Sequence, residues 1–181
     1  VQSGSDSVLK AMNRRYTSAQ YLEEIKMLRS RLPGAEVTTD IIVGFPGETE
    51  EDYLATEELV KKADFASAFT FVYSPRTGTK AAAMENQVPE EVQKDRILRL
   101  VELVNSLTRK KSEKYVGTTA EILCEDYDEK KGLYLGRDEF GRMGYFKSEE
   151  NLVGQFVNLK ITQANGISLY GELADKNHKE I

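Results

Sequence analysis

Apolar positions in the first part of the chain switch between a helical and a strand period. Over residues 18–31, Leu22, Ile25, Met27 and Leu28, followed by Leu32 and Pro33-Gly34, give an amphipathic helix with a turn stop. Residues 37–43 form a continuous β-branched run, the composition of a parallel strand covered on both faces, with Asp40 inside it as a charge that needs a partner. A turn bracketed by Gly44 and Gly47 follows, where missing side chains would let a ligand approach the backbone. Thr49 with Asp52 then reads as a capping-box variant opening a helix over 49–62, with its acids early and Lys61 and Lys62 late. Residues 67–73 form a second apolar strand, and 74–79 a loop. A long helix over 89–115 carries the stripe Ile97, Leu100, Val101, Val104 and Leu107. This βαβα succession predicts a parallel sheet with right-handed crossovers, an α/β unit over residues 1–115.

After Gly117 the pattern changes to short alternating strands over 118–125, 133–137, 143–146, 155–162 and 167–173, separated by polar or glycine turns. That spacing predicts a five-stranded antiparallel barrel of the oligonucleotide-binding (OB) type over 116–174, with a polar tail over 175–181. On β-strand alternation Cys124 shares a face with Ala120 and Ile122 and reads as core, and His178 sits in the polar tail with no catalytic or metal partner in view.

Composition narrows the function. There is no apolar run long enough to span a membrane and no leader pattern, so a cytoplasmic protein is expected. One cysteine makes no internal disulfide and by itself holds neither zinc nor an iron–sulfur cluster. Lys and Arg number 25 against 30 Asp and Glu, a formal net charge of −5, so a broad basic footprint for nucleic acid is missing. The chain opens on Val1-Gln2-Ser3-Gly4-Ser5, as if entered at the end of a strand, and reads as a fragment.

Gln2, Arg14 and Asp40 each fall at the carboxyl end of a strand or in the segment after one, the rim on which barrel enzymes keep their sites. An amide, a guanidinium and a carboxylate can divide a nucleoside amino acid between them, the amide and carboxylate to ribose hydroxyls and the guanidinium to a carboxylate. On spacing alone, the favoured reading is Arg14 as a surface charge and Asp40 as a structurally paired acid.

Four stretches carry a resemblance: Gln2-Ser3-Gly4-Ser5-Asp6, residues 9–17 with Asn13-Arg14-Arg15-Tyr16-Thr17, residues 39–49, and residues 69–79 ending Ser74-Pro75-Arg76-Thr77-Gly78-Thr79. Together they resemble the C-terminal half of the radical S-adenosylmethionine domain of methylthiotransferases, a partial βα (TIM-like) barrel. Asn151-Leu152-Val153-Gly154 and residues 168–173 resemble the TRAM RNA-binding barrel of that family. The stretches 13–17 and 74–79 are more similar to members that add a methylthio group to dimethylallyladenosine beside the tRNA anticodon than to those that modify a ribosomal-protein aspartate. A stand-alone RNA-binding module is a further alternative.

The resemblance implies S-adenosylmethionine and 4Fe–4S clusters as cofactors of the parent protein and a tRNA anticodon stem-loop as its partner. It places ribose on Gln2 and Asp40, the methionyl carboxylate on Arg14, and adenine against Ile42, the Gly44–Gly47 backbone and the backbone of Tyr73 and Ser74. Arg76, Arg137, Arg142, Lys147 and Lys160 become candidate RNA contacts, with Arg109, Lys110, Lys111 and Lys114 as further phosphate contacts. Phe140 and Tyr145 are possible stacking surfaces, with packing inside the barrel the favoured role. The cluster-binding cysteines of the family are absent, so this chain is expected to be inactive alone, to bind S-adenosylmethionine weakly, and to self-associate through an unpaired sheet edge.

Overall fold

The computed structural model describes residues 1–33 and 35–174; the tail at 175–181, with His178, lies outside the described residues. The chain divides into two compact units, Val1–Leu107 and one that starts at Thr108.

The first unit is built on two parallel strands, β1 (Thr38–Val43) and β2 (Ser67–Val72), joined through α3 (Glu50–Ala63). Two further helices precede β1: α1 (Asp6–Ala11) and α2 (Ser18–Arg31). A fourth, α4 (Glu90–Ser112), follows β2 and a single 3₁₀ turn, Ala81–Ala83. The capping box expected for Thr49 with Asp52 forms at the start of α3, and Thr17 with Gln20 forms a second one at the start of α2, each satisfying orphan amides. The helix α1, too short to show a period, is fixed by its N-cap Ser5 and by burial of Val8 and Leu9.

The segment before α1 docks tightly. Gly4 donates its N–H to Thr56 Oγ1 at 2.9 Å, and Ser3 Oγ lies 3.2 Å from the same oxygen. A Cβ at Gly4 would stand 2.3 Å from the Ala55 carbonyl oxygen, so only glycine lets this stretch lie against the α3 backbone. Ser5 and Ser7 hydroxyls both reach Asp52 Oδ1, the latter at 2.7 Å. The core beneath the sheet comprises Leu9, Ile25, Ile41, Val43, Tyr53, Leu59, Val60, Phe65, Leu100 and Val104.

The expectation that β1 is covered on both faces is not met. Thr39, Ile41 and Val43 are buried, while Thr38 and Asp40 are exposed and Ile42 is half-buried. Helices cover one face only, and the polar Asp40 in an otherwise apolar run was the sign of the open one.

The second unit is a closed barrel of β3 (Thr119–Asp128), β4 (Leu133–Arg137), β5 (Met143–Phe146), β6 (Phe156–Asn165) and β7 (Ser168–Leu173), in the order β3-β4-β5-β7-β6. Four of the neighbouring pairs are antiparallel, and β5 pairs with β7 in parallel, Met143 opposite Ser168 and Tyr145 opposite Tyr170. This corrects the all-antiparallel expectation for a simple reason: strand direction cannot alternate all the way round a closed ring with an odd number of strands. Register shifts at Cys124/Asp126 and Ile161/Gln163 add the bends that closure requires. Ile122, Cys124, Phe146, Leu159, Ile161 and Leu169 fill the interior, with Cys124 fully buried as expected.

Candidate functional site

The turn after β1 is held from within the protein. Gly44 and Gly47 have φ of 74° and 83°, backbone that residues with a side chain rarely adopt. The close approach their bareness permits is made by the protein's own side chains: a Cβ at Gly44 would stand 2.5 Å from Gln93 Cγ, and one at Gly47 2.4 Å from Asn86 Nδ2. Gly44 donates its N–H to Glu48 Oε1 at 2.9 Å, and its carbonyl accepts from Gln93 Nε2 at 3.2 Å. Gly47 donates to the Asn86 carbonyl at 2.8 Å.

The same turn carries an ion pair that sequence reasoning did not reach. Arg96 Nη1 on α4 sits 2.9 Å from Glu48 Oε1, with side-chain exposures of 5% and 1%, and also donates to the Glu48 carbonyl at 3.2 Å. Burial pushes the Glu48 carboxyl up from its ordinary value; the Gly44 amide and Arg96 pull it back without cancelling that cost. Around it, Arg96 meets Glu50, and Arg99 bridges Glu50, Glu57 and Asp95 while its guanidinium lies 4.5 Å from the centre of the Tyr53 ring. Glu48 and Arg96 are far apart in sequence, so no local pattern announces them.

The sequence-predicted residues lie along β1, the segment beside it and the loop after β2; Asp40 is the third of the six residues of β1 and not at its carboxyl end, because the strand runs on through Val43. Gln2 is half-buried; its carbonyl accepts the Ile42 N–H at 2.9 Å and its side-chain oxygen accepts the Tyr16 hydroxyl at 3.0 Å. The segment before α1 therefore lines the edge of β1, with Val1 and Thr39 bonded at 2.7 Å. Arg14 is exposed just after Asn13, whose φ of 60° turns the chain out of α1. Among the described residues the Asp40 side chain makes no hydrogen bond or ion pair, so the partner expected for it is not found.

Ile42 stands opposite Phe71 in register, and Asp40 opposite Phe69; Phe69 and Phe71 are exposed. Tyr73 donates its N–H to Val43 at 2.8 Å, rests edge-on against buried Phe45 with ring centres 5.2 Å apart, and has a buried hydroxyl with no hydrogen-bond partner among the described residues. Ser74 and Arg76 are exposed in the loop beyond.

In the barrel the basic candidates fall into two groups. Arg137 pairs with Glu125 at 3.1 Å. Arg142 is clamped by Asp138, Nε and Nη2 each at 2.6 Å from Oδ2, and its guanidinium lies 3.8 Å from the Tyr115 ring centre and 4.8 Å from that of Phe140. Lys147 and Lys160 are exposed and carry no side-chain bond among the described residues.

The aromatics correct the expectation of interior packing. Tyr145 lies outside the barrel, stacked on Tyr170 at 5.1 Å with 17° between planes, and Lys131 Nζ is 5.1 Å from its centre. Phe140 is likewise exposed, at 46%. Gly144 and Phe146 take the inward positions of β5, because the Ile122 side chain fills the space a Cβ at Gly144 would need.

An open-faced βα segment with an exposed, unpaired carboxylate on β1, followed by a small mixed barrel with external aromatics, defines an α/β segment and an OB-like module. Residues 1–60 match the family model of the Radical SAM superfamily and residues 113–174 that of the TRAM domain. It is 46% identical, over 96% of its length, to the tRNA-2-methylthio-N(6)-dimethylallyladenosine synthase of Caldicellulosiruptor saccharolyticus, and 48% identical over 96% to that of Clostridium beijerinckii. The chain spans only 37% and 38% of those two relatives.

Proposed function

We propose that this chain is part of a tRNA methylthiotransferase and supplies the nucleoside side of its S-adenosylmethionine pocket together with an RNA-holding barrel. The observation that carries the reading is 46–48% identity, over 96% of the chain, to relatives named as tRNA-2-methylthio-N(6)-dimethylallyladenosine synthases. In this reading Asp40 and Gln2 bind the ribose hydroxyls and Arg14 the methionyl carboxylate. Ile42 and the backbone of Gly44, Tyr73 and Ser74 lie against adenine. The exposed Asp40 carboxylate and Arg14 guanidinium support this division, since both retain full hydrogen-bonding capacity for a ligand. The engaged Gly44 amide and carbonyl limit that turn to van der Waals contact.

When bound, a 4Fe–4S cluster with S-adenosylmethionine supplies an electron for reductive cleavage of the sulfonium. The residues present do not fit the cluster: the one cysteine is buried in the barrel core, and no group of three ligating side chains gathers among the described residues. The part played by this chain is binding and orientation. For RNA, Lys147, Lys160 and Arg76 offer unpaired charge and the Tyr145–Tyr170 stack an external aromatic surface, whereas Arg137 and Arg142 are already neutralised. The anticodon stem-loop is the proposed RNA and the cytoplasm the proposed compartment. No helix among the described residues is long and apolar enough to cross a membrane.

The test is to express the gene that carries this segment in bacteria lacking the modification and to digest their tRNA for mass spectrometry. Gain of a methylthio group on dimethylallyladenosine is the expected result. Unmodified tRNA together with a methylthio group on a ribosomal-protein aspartate would replace the reading with the protein-modifying one.

A further inference from the structure

We propose that the barrel carries a second docking surface, a groove on the outer face of β3 that accepts a protein segment bearing apolar side chains flanked by Lys or Arg. A cavity of about 670 Å³ opens between β3 and the loop that follows β4. Its apolar surface includes Leu123, Phe156 directly opposite it on β6, and Phe140 from the loop; Phe156 is 63% exposed and Phe140 46%. Exposed aromatics that gather on one small domain mark an interaction site more often than scattered ones do.

The site is built rather than incidental. Asp138 Oδ1 accepts the backbone N–H groups of both Phe140 and Arg142 at 2.9 Å, so the loop that presents Phe140 is locked before any partner arrives.

Charge selects the occupant. The two arginines at the groove are consumed by Glu125 and Asp138, while Glu121 and Glu139, which also line it, make no ion pair among the described residues. The groove therefore presents unpaired carboxylates beside apolar rings, which attracts a cationic apolar segment and repels phosphate. β3 pairs with β6 over Thr119–Leu123 and with β4 over Leu123–Asp128, and the recognition proposed here runs through the side chains of the groove. This face is distinct from the outer surface of β5 and β7 that carries the Tyr145–Tyr170 stack.

The test uses the full chain, fluorescence anisotropy and three labelled probes: a short peptide alternating Lys with Leu and Phe, its counterpart with Glu for every Lys, and an oligouridine. The Lys peptide should bind at least about tenfold more tightly than the Glu peptide, and either Phe156→Ser or the pair Glu121→Lys and Glu139→Lys should weaken it by about tenfold. All three substituted side chains are exposed, so barrel circular dichroism should not change. Oligouridine that competes with the peptide and itself loses affinity in Phe156→Ser would make the groove a nucleic-acid surface and overturn the proposal. So would failure of the Lys peptide to bind, or binding that neither variant alters.

Discussion

Replacing Arg96 with Met strips the partner from a carboxylate that has 1% of its side-chain surface exposed. Glu48 would keep one hydrogen bond, from the Gly44 amide at 2.9 Å, and lose the charge-assisted bond from Arg96 at the same distance. Removing one member of a buried pair costs about 3–5 kcal/mol, because the remaining charge has no compensation. A domain of this size has on the order of 5–15 kcal/mol in total. With a urea slope of about 1–3 kcal/mol/M, the midpoint of the first unit should fall by about 2 M. Helix circular dichroism reads this unit selectively, since the described residues after Tyr115 form strands and turns without a helix, and the strand signal of the barrel serves as an internal control. Adding Glu48→Gln should recover at least half of the loss, because Gln can still accept the Gly44 N–H without carrying charge. A loss below about 1 kcal/mol in Arg96→Met, or a double variant no more stable than the single, would refute the claim that this pair fastens α4 to the turn.

Three further outcomes follow from the same geometry. Burial raises the native Glu48 carboxyl above the value of about 4.3 for an unfolded glutamate, so its contribution is whole below that pH and is lost as pH rises through the native value. Urea titrations across this window should show the deficit of Glu48→Gln relative to the parent shrinking as pH rises; a growing deficit would contradict the sign. Gly4→Ala drives a Cβ toward the Ala55 carbonyl and should cost about 1–3 kcal/mol in the same helix melt, and an unchanged midpoint would show that the first segment does not lie tight on α3. Among the described residues β2 pairs only with β1, leaving its other edge unpaired next to exposed Phe69, Phe71 and Val72. Light scattering should report self-association in the micromolar range, and a monodisperse monomer there would count against it.

What was legible in the sequence was whatever local periodicity encodes. The bounds of α2, β4 and β5 follow from spacing alone, and the Thr49–Asp52 capping box from residues three apart. The open face of β1 was written in Asp40, but the surrounding β-branched run outweighed it. Tyr145 was misplaced because Met143, Tyr145 and Phe146 leave β5 apolar on both faces, and only the fit of Gly144 to Ile122 decides which face turns inward. Long-range partners were out of reach: Glu48 with Arg96, Gly4 with α3, and the parallel β5–β7 pair, which only barrel closure demands. For the candidate site, chemistry proposed Gln2, Arg14 and Asp40, and resemblance gave each of them a ligand atom.

The central claim is that Asp40 belongs to a nucleoside-binding pocket. Its most direct test is the S-adenosylmethionine dissociation constant of the cluster-loaded protein that carries this segment, measured by equilibrium dialysis with and without Asp40→Ala. Loss of a charged hydrogen-bond acceptor for the ribose, worth about 1.5–3 kcal/mol, predicts binding weakened by about tenfold to a hundredfold with the fold intact. Unchanged affinity in a folded Asp40→Ala protein would contradict the account.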